Sequence, residues 1–441
     1  MRITDWGRMV SADVLETARP TTEEELQQIV RRASQEDLKV SLRGIGHSAG
    51  GQSFRSGGIM VDMLKFNRIL KLDAAQREVR VQTGASWLDL TRVLEPHRLA
   101  ITTKQEFDTF TVGGSVAANV HGKTIDQGPL IESIREFRLL NAEGNIVTVN
   151  RRSQPDLFRL VIGGYGLFGI VVDVTFRLID DRPVIKSEVV RMDLKSLAQS
   201  YVERVRQNPK DTPLCYGFLD SQCTEGFYVT YTYANDGHRY ELNELKRDEP
   251  NPLLFDLMAF LFRHSDFLRK RAFQFMWSTS AKPEVTLRSR RLLLWDRAPK
   301  AFQKMLLQKF YIPLDRFVPF VQKMSEILSR NNLPTLTNHF RYVPASSEAF
   351  MNFAATDTIS VIPCYFAEKG NQEWLGRFQK ATASLLDVCL DQGGRNYLTF
   401  DAVGSKEQFH RAYPQAHQFF EMKRKYDPRE IFNSEFYAKY R

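Results

Sequence analysis

At 441 residues, with 43% hydrophobic and 26% charged side chains, the chain is long enough for two cored domains and ordinary for a globular protein. No apolar run reaches spanning length, and the N-terminal Met1–Trp6 lacks the apolar core of a secretion signal. The net charge of +9 is densest between Arg263 and Arg341; it suits an anionic membrane or an acidic substrate, whereas no recognised nucleic-acid motif accompanies it. Cys215, Cys223, Cys364 and Cys389 have no metal spacing and are too sparse for a disulfide scaffold, so a reducing, cytoplasmic setting is expected.

Thr22 and Glu25 form a capping box, with acids filling the first turn, so a helix opens after Pro20; Leu26, Ile29, Val30 and Ala33 are its apolar face. A strand over Lys39 to Leu42 follows. It runs into a glycine-rich loop of Leu42, Arg43, Gly44, Ile45, Gly46, His47, Ser48, Ala49, Gly50, Gly51 and Gln52, then into the apolar run Ile59–Met63. Such a loop lets backbone N–H groups converge on a diphosphate and presents the His47 imidazole to it. It has the G-x-G of a dinucleotide fingerprint, but no helix opens behind it. Read alone, the loop is equally a tight glycine turn with an exposed histidine.

Arg77 to Gln82 alternates as a strand, and Ser86 caps a helix carrying Trp87, Leu88, Leu90 and Val93. A second small-residue run holds Thr111, Val112, Gly113, Gly114, Ala117, Ala118, Asn119, Val120 and His121, and ends at Lys123. Ile134–Leu140 and Asn145–Val149 read as a hairpin about Glu143 and Gly144. A third run, Gly163 to Ile170, leads into a strand from Val171 to Leu178. Three such runs within 180 residues argue for one large ligand that touches several loops of an α+β domain with mixed sheets.

The pattern changes at Asp180–Pro183, which sets the expected division at 1–180, 181–394 and 395–441, the last returning to the first domain. Strands Val184–Met192, Gly226–Tyr233, Lys309–Pro313, Asn338–Val343 and Ile359–Tyr365 predict an antiparallel sheet, with helices such as Leu194–Gln207. Within it, 252–295 joins apolar runs to Arg263, Arg269, Lys270, Arg271, Arg288, Arg290 and Arg291. That is the composition of an interfacial membrane helix or of a helix packed on the domain core.

The G-x-G-H-S loop, the T-V-G-G run and the G-G-x-G-x-x-G-I run together resemble the flavin domain of the vanillyl-alcohol oxidase superfamily. The resemblance implies a two-domain PCMH-type FAD-binding fold of the α+β class, with an antiparallel-sheet substrate (cap) domain. The loop around His47 is most similar to that of cytokinin dehydrogenases. The stretch Val112–Lys123 and the C-terminal Gly393–Tyr397, Tyr413–Pro414 and Tyr426–Pro428 resemble decaprenylphosphoryl-ribose oxidase. By that resemblance FAD contacts Leu42 to Gln52, Thr111 to Gly114, Ala117 to His121, Ile170 and Tyr397, with His47 its covalent attachment point. Oxidation of a C–OH group of a sugar, polyol, sugar lactone or lipid-linked sugar follows, with dioxygen or a quinone as electron acceptor.

Such chemistry needs a base or an alkoxide-stabilising cation. The candidates are His121, Lys123, Lys309 and Arg341; His339 and Arg341 share one strand face, as in alditol and aldonolactone oxidases, including the arabinonolactone type. Where the ribose oxidases carry a lysine after the tyrosine motif, this chain has Phe400 and Asp401. Glu106 stands six residues before Val112, where cytokinin dehydrogenases place a proton-accepting aspartate. An amine dehydrogenase using Glu106 is therefore one alternative, and a membrane-binding flavoprotein without turnover is another.

Overall fold

The computed structural model describes residues 1–207, 210–234, 252–281, 288–289, 305–368, 370–401 and 403–441. The helix Glu23–Gln35 opens at its capping box, with Thr22 and Glu25 bonded reciprocally, and buries Leu26, Val30 and Ala33. The strand Val40–Arg43 then pairs in parallel with Ile59–Asp62, which also pairs in parallel with Glu16–Ala18. The glycine loop is thus the connection between two adjacent parallel strands, and their ladder fixes both of its ends.

A second sheet runs in the order Ile146–Asn150, Ile134–Leu140, Ile170–Asp180, Glu78–Gln82, Ile69–Asp73, with Leu99–Ile101 also on Ile170–Asp180. Its apolar face, including Val79, Val81, Phe137 and Phe176, packs with Trp87, Val112 and Val116 and with the C-terminal Phe409, Phe420 and Tyr437. The T-V-G-G run, read from sequence only as a run of small residues, forms a short helix, Val112–Ala117. Thr111 accepts the Gly114 N–H and caps it.

The third sheet has nine strands. Its order is Arg288–Ser289, Pro183–Asp193, Glu225–Tyr233, Leu214–Leu219, Thr335–Val343, Thr358–Phe366, Phe310–Pro313, Arg395–Asn396, with Met305–Leu307 also on Thr358–Phe366. Every pairing in it is antiparallel. The helices Leu194–Arg206, Phe317–Arg330 and Gln372–Asp391 cover one face, where Tyr201, Phe320, Met324, Phe378 and Leu385 meet Phe340 and Val361. Period-two alternation sends His339 and Arg341 to the other face.

Beyond Arg395–Asn396 the chain crosses back to the first core. Val40 donates to Ile431 O at 2.7 Å, and Asn433 donates to Val40 O at 2.8 Å. Ala49 donates to Thr399 O at 2.9 Å, and Gln52 Nε2 to Leu398 O at 2.7 Å. A fully buried Lys423–Asp427 pair, whose carboxylate also accepts the Ile431 and Phe432 N–H groups, sets this turn. Removing either partner would strand a buried charge, a loss of about 3–5 kcal/mol.

Within 252–295, helices Pro252–His264 and Asp266–Ser280 form. The second is partly a core helix, with Phe273 buried 5.6 Å from Phe227. Leu257, Met258, Phe260, Leu261, Phe267 and Phe275 are exposed. Two of the expected surface cations turn inward: Arg263 pairs with Glu368 at 2.9 Å, and Arg269 binds Asp266 and the Phe262 carbonyl. Lys270 and Arg271 remain exposed. The Arg288 side chain, Arg290 and Arg291 lie outside the described residues. Among the described residues no helix is long and apolar enough to cross a membrane.

Candidate active site

A cleft of about 1680 Å³, mouth included, lies between the glycine loops and the open face of the nine-stranded sheet. Of the predicted cofactor residues, Leu42, Arg43, Gly44, Ile45, Gly46, His47, Ser48, Gln52, Thr111, Gly113, Gly114, Ala117, Ala118, Val120, His121, Ile170 and Tyr397 line it.

The other five do not line it. Ala49 is held by Thr399 O, and Gly50 and Gly51 pack on Asp401 and on Glu435. Val112 is a core residue, and Asn119, at φ 44°, accepts the Ile131 N–H. Their smallness serves the closure of the loops on one another.

The loop geometry fits a diphosphate. A Cβ on Gly44 would meet Thr111 Oγ1 at 2.2 Å, and Gly46 has φ 75°, so both glycines are required where the two loops touch. The backbone N–H groups of Ile45, Gly46 and Ser48 have no acceptor among the described residues, in a loop that lines the cleft. Leu42 to Ser48 and Thr111 to Ala118 would hold FAD, with Ile170 and Tyr397 beyond them.

The open sheet face supplies the charged end. Arg341, buried, places Nη2 2.6 Å from Glu106 Oε1; Lys123 Nζ lies 3.0 Å from the same oxygen and 4.8 Å over the Tyr216 ring. Lys123 does not itself line the cleft, whereas Glu106, His121, Lys309, His339 and Arg341 do. Lys309, just before the strand Phe310–Pro313, puts its ammonium 5.2 Å over the Tyr397 ring and 5.6 Å over Tyr311. Among the described residues no carboxylate lies within ion-pair distance of it.

His121 is buried, its Nδ1 is 3.2 Å from Gly122 O, and its Nε2 has no partner among the described residues. Asp401, next to the position of the ribose-oxidase lysine, accepts from Asn396, Val403 and Gly404 and is structural.

Burial raises the Glu106 carboxyl, but Arg341, Lys123 and His339 outweigh it and hold it well below the usual carboxylate range. Burial, then Lys309 and Arg341, push the His121 imidazole well below 6.5. Burial and Arg341 likewise depress the Lys309 ammonium. Burial also lowers His339, to about 4; Arg341 and Lys123 add to this while Glu106 opposes it. The arrangement therefore offers cations and a neutral imidazole, and its one lining carboxylate of that cluster is committed. Glu106, held ionised by Arg341 and Lys123, is a weakened base for the amine-dehydrogenase alternative.

Several lining residues carried no sequence signal of their own. Phe107, Phe110 and Phe400 ring His47, while Leu307, Ile362 and Cys364 wall the sheet side. The last three follow from the alternation of their strands once the face of His339 and Arg341 is known. All four cysteines are buried and unpaired.

Residues 15–150 match the FAD binding domain family. Over nearly its whole length the chain is 24% identical to decaprenylphosphoryl-beta-D-ribose oxidase of Mycolicibacterium smegmatis, covering 98% of this chain and 96% of that one. It is 21% identical to L-gulonolactone oxidase of Mus musculus, over 99% and 97%. Cytokinin dehydrogenase 6 of Oryza sativa subsp. japonica is 33% identical across 183 residues; the match covers 38% of this chain and only about a third (34%) of that protein. These matches support the resemblance to FAD-linked oxidoreductases of the vanillyl-alcohol oxidase superfamily, carried by the FAD binding domain of residues 15–150.

Proposed function

We propose that this protein oxidises a C–OH group of a sugar lactone, polyol, sugar or lipid-linked sugar, with FAD joined to His47 and dioxygen or a quinone as electron acceptor. The observation that carries this reading is the commitment of Glu106 to Arg341 and Lys123, beside an uncapped Lys309 and a neutral His121. A hydroxyl finds a proton acceptor and cations there; an ammonium finds like charge. Residues 1–180 and 395–441 hold the cofactor, and 181–394 hold substrate.

Bound FAD supplies the two-electron acceptor for the hydride leaving carbon. Arg341 and Lys309 hold the substrate oxygen and stabilise its developing negative charge. His121 Nε2 takes the hydroxyl proton. Glu106 and Lys123 fix the guanidinium of Arg341 so that its remaining N–H donors meet substrate. The aromatic and aliphatic wall of Phe107, Phe110, Phe400 and Ile362 keeps water from the reacting atoms.

Anaerobic mixing with polyols, aldonolactones, isoprenoid-linked sugars and amines tests this. Hydroxyl donors are expected to bleach the flavin absorbance, and bleaching by amines alone would overturn the reading.

A lipid-borne substrate is favoured by the helix pair 252–280. Its second helix packs Phe273, Met276 and Trp277 on the sheet face that holds Tyr216 and Phe218, the register neighbours of Arg341 and His339. The same helix pair carries the exposed apolar side chains. Because Arg263 and Arg269 are engaged internally, membrane binding should depend more on insertion than on charge. Sedimentation with vesicles is expected to fall sharply when Phe260, Phe267 and Phe275 become serine, and to weaken only modestly in high salt. Absence of wild-type binding to anionic vesicles at low salt would leave a soluble lactone or polyol as substrate.

A further inference from the structure

The His47 imidazole packs against two tilted rings. Trp6 lies 4.3 Å from it and Phe110 4.7 Å, with Phe107 and Phe400 edge-on at 6.1 and 6.3 Å. The three phenylalanines belong to the cleft wall. Trp6 arrives from elsewhere, on the turn between the paired strands Arg2–Thr4 and Ser11–Asp13. That turn is tightly tied: Asp5 N–H bonds Val10 O, Met9 N–H bonds Asp5 Oδ1, and Trp6 N–H bonds Ser48 O, the residue after His47. The hairpin's own small core is Ala12, Val14, Phe54 and Met60 with Ile3 and Val10, and Trp6 is no part of it. The indole instead spans from His47 to the cluster of Leu307, Ile362 and Cys364.

We propose that Trp6 is a positioning residue for flavin attachment: with Phe110, Phe107 and Phe400 it confines the imidazole in an aromatic pocket and holds it in one orientation. The proposal rests on the reading that FAD is joined to His47. Attachment forms a C–N bond between an imidazole nitrogen and the 8α methyl carbon of the flavin. The hydrogens lost from that carbon and from the imidazole, with the bonding electron pair, are retained as reduced flavin. The acceptor of normal turnover, dioxygen or a quinone, then removes two electrons and two protons. A ring confined by its neighbours keeps one orientation, which a free side chain would have to find.

The test compares wild type, His47→Ala, Trp6→Leu, Trp6→Phe and Phe110→Leu as full-length protein supplied with FAD. Intact mass reports attached flavin, absorbance after gel filtration reports total flavin, and thermal unfolding reports packing. Wild type is expected to carry the mass of one FAD and His47→Ala none. Trp6→Leu keeps apolar bulk against Leu307 and Ile362, so it should retain unattached FAD and near-normal unfolding while the rate of attachment falls at least tenfold. Phe110→Leu should do the same, and Trp6→Phe should restore most of the rate. Attachment at the wild-type rate in Trp6→Leu overturns the proposal while leaving the His47 linkage intact. So does a parallel loss of flavin binding and thermal stability, which marks Trp6 as packing alone. A bare chain mass from yellow wild-type protein overturns the His47 linkage and this inference with it.

Discussion

Arg341→Met is expected to keep FAD bound and to slow its reduction by substrate by about a hundredfold. One charge-assisted contact to a developing alkoxide is worth roughly 10²–10³ in rate. The loss should fall on the reductive step, leaving reoxidation by the acceptor nearly unchanged, because the role proposed for Arg341, which lines the cleft, is to hold the substrate oxygen. The same substitution also frees Glu106 from its 2.6 Å partner, leaving Lys123 at 3.0 Å. Arg341→Lys separates the two roles: charge returns, but the fixed fork that holds Glu106 and substrate together does not. Stopped-flow reduction under anaerobic conditions measures both variants. Wild-type reduction rates in a folded Arg341→Met protein would remove this residue from the mechanism.

His121→Gln is expected to slow flavin reduction by roughly 10²–10⁴, the range of a positioned proton acceptor. The pH profile gives the sharper signature. In that role the acting form would be the neutral imidazole, and burial with the neighbouring Lys309 and Arg341 holds its pKa well below 6.5. The reduction rate should therefore stay level as pH falls through 6.5 and drop only in more acidic solution. Lys309→Met removes one of those cations, so its acid limb should move up towards 6.5. A limb already at 6.5 in wild type, or one that does not move in Lys309→Met, would mean that another group accepts the proton.

Much of the scaffold was legible because local rules and tertiary packing agree there. Thr22 and Ser86 cap where their spacing says, and the alternation of Val184–Met192 and Asn338–Val343 survives as two strands of one sheet. The strand Leu214–Leu219 escaped because Leu214 and Cys215 run together and Gly217 interrupts the alternation, although it carries Tyr216. The Glu106 pairing with Arg341 was invisible for a different reason. A carboxylate's role depends on its partner, and this loop carboxylate finds its partner on a strand far along the chain. Charge counting failed similarly at Arg263 and Arg269, since composition does not say which cations a fold turns inward. Gly50 and Gly51 read as ligand contacts, yet the returning C-terminal segment claims them.

That returning segment has a consequence for the order of events during synthesis. The loop carrying His47 begins at a strand held by Ile431 and Asn433 and is pinned in its middle by Thr399 and Leu398. Domains that emerge first from the ribosome generally fold first. Here the first loop to emerge waits for residues made some ten times later in the count, so its closing contacts do not exist while the substrate sheet is being translated. Such long-range closure is slow and entropically expensive. A ligand that bridges loop and returning segment would bias the finished chain towards its closed form by mass action. Cofactor supply in a cell thus bears on the yield of folded protein as well as on its activity.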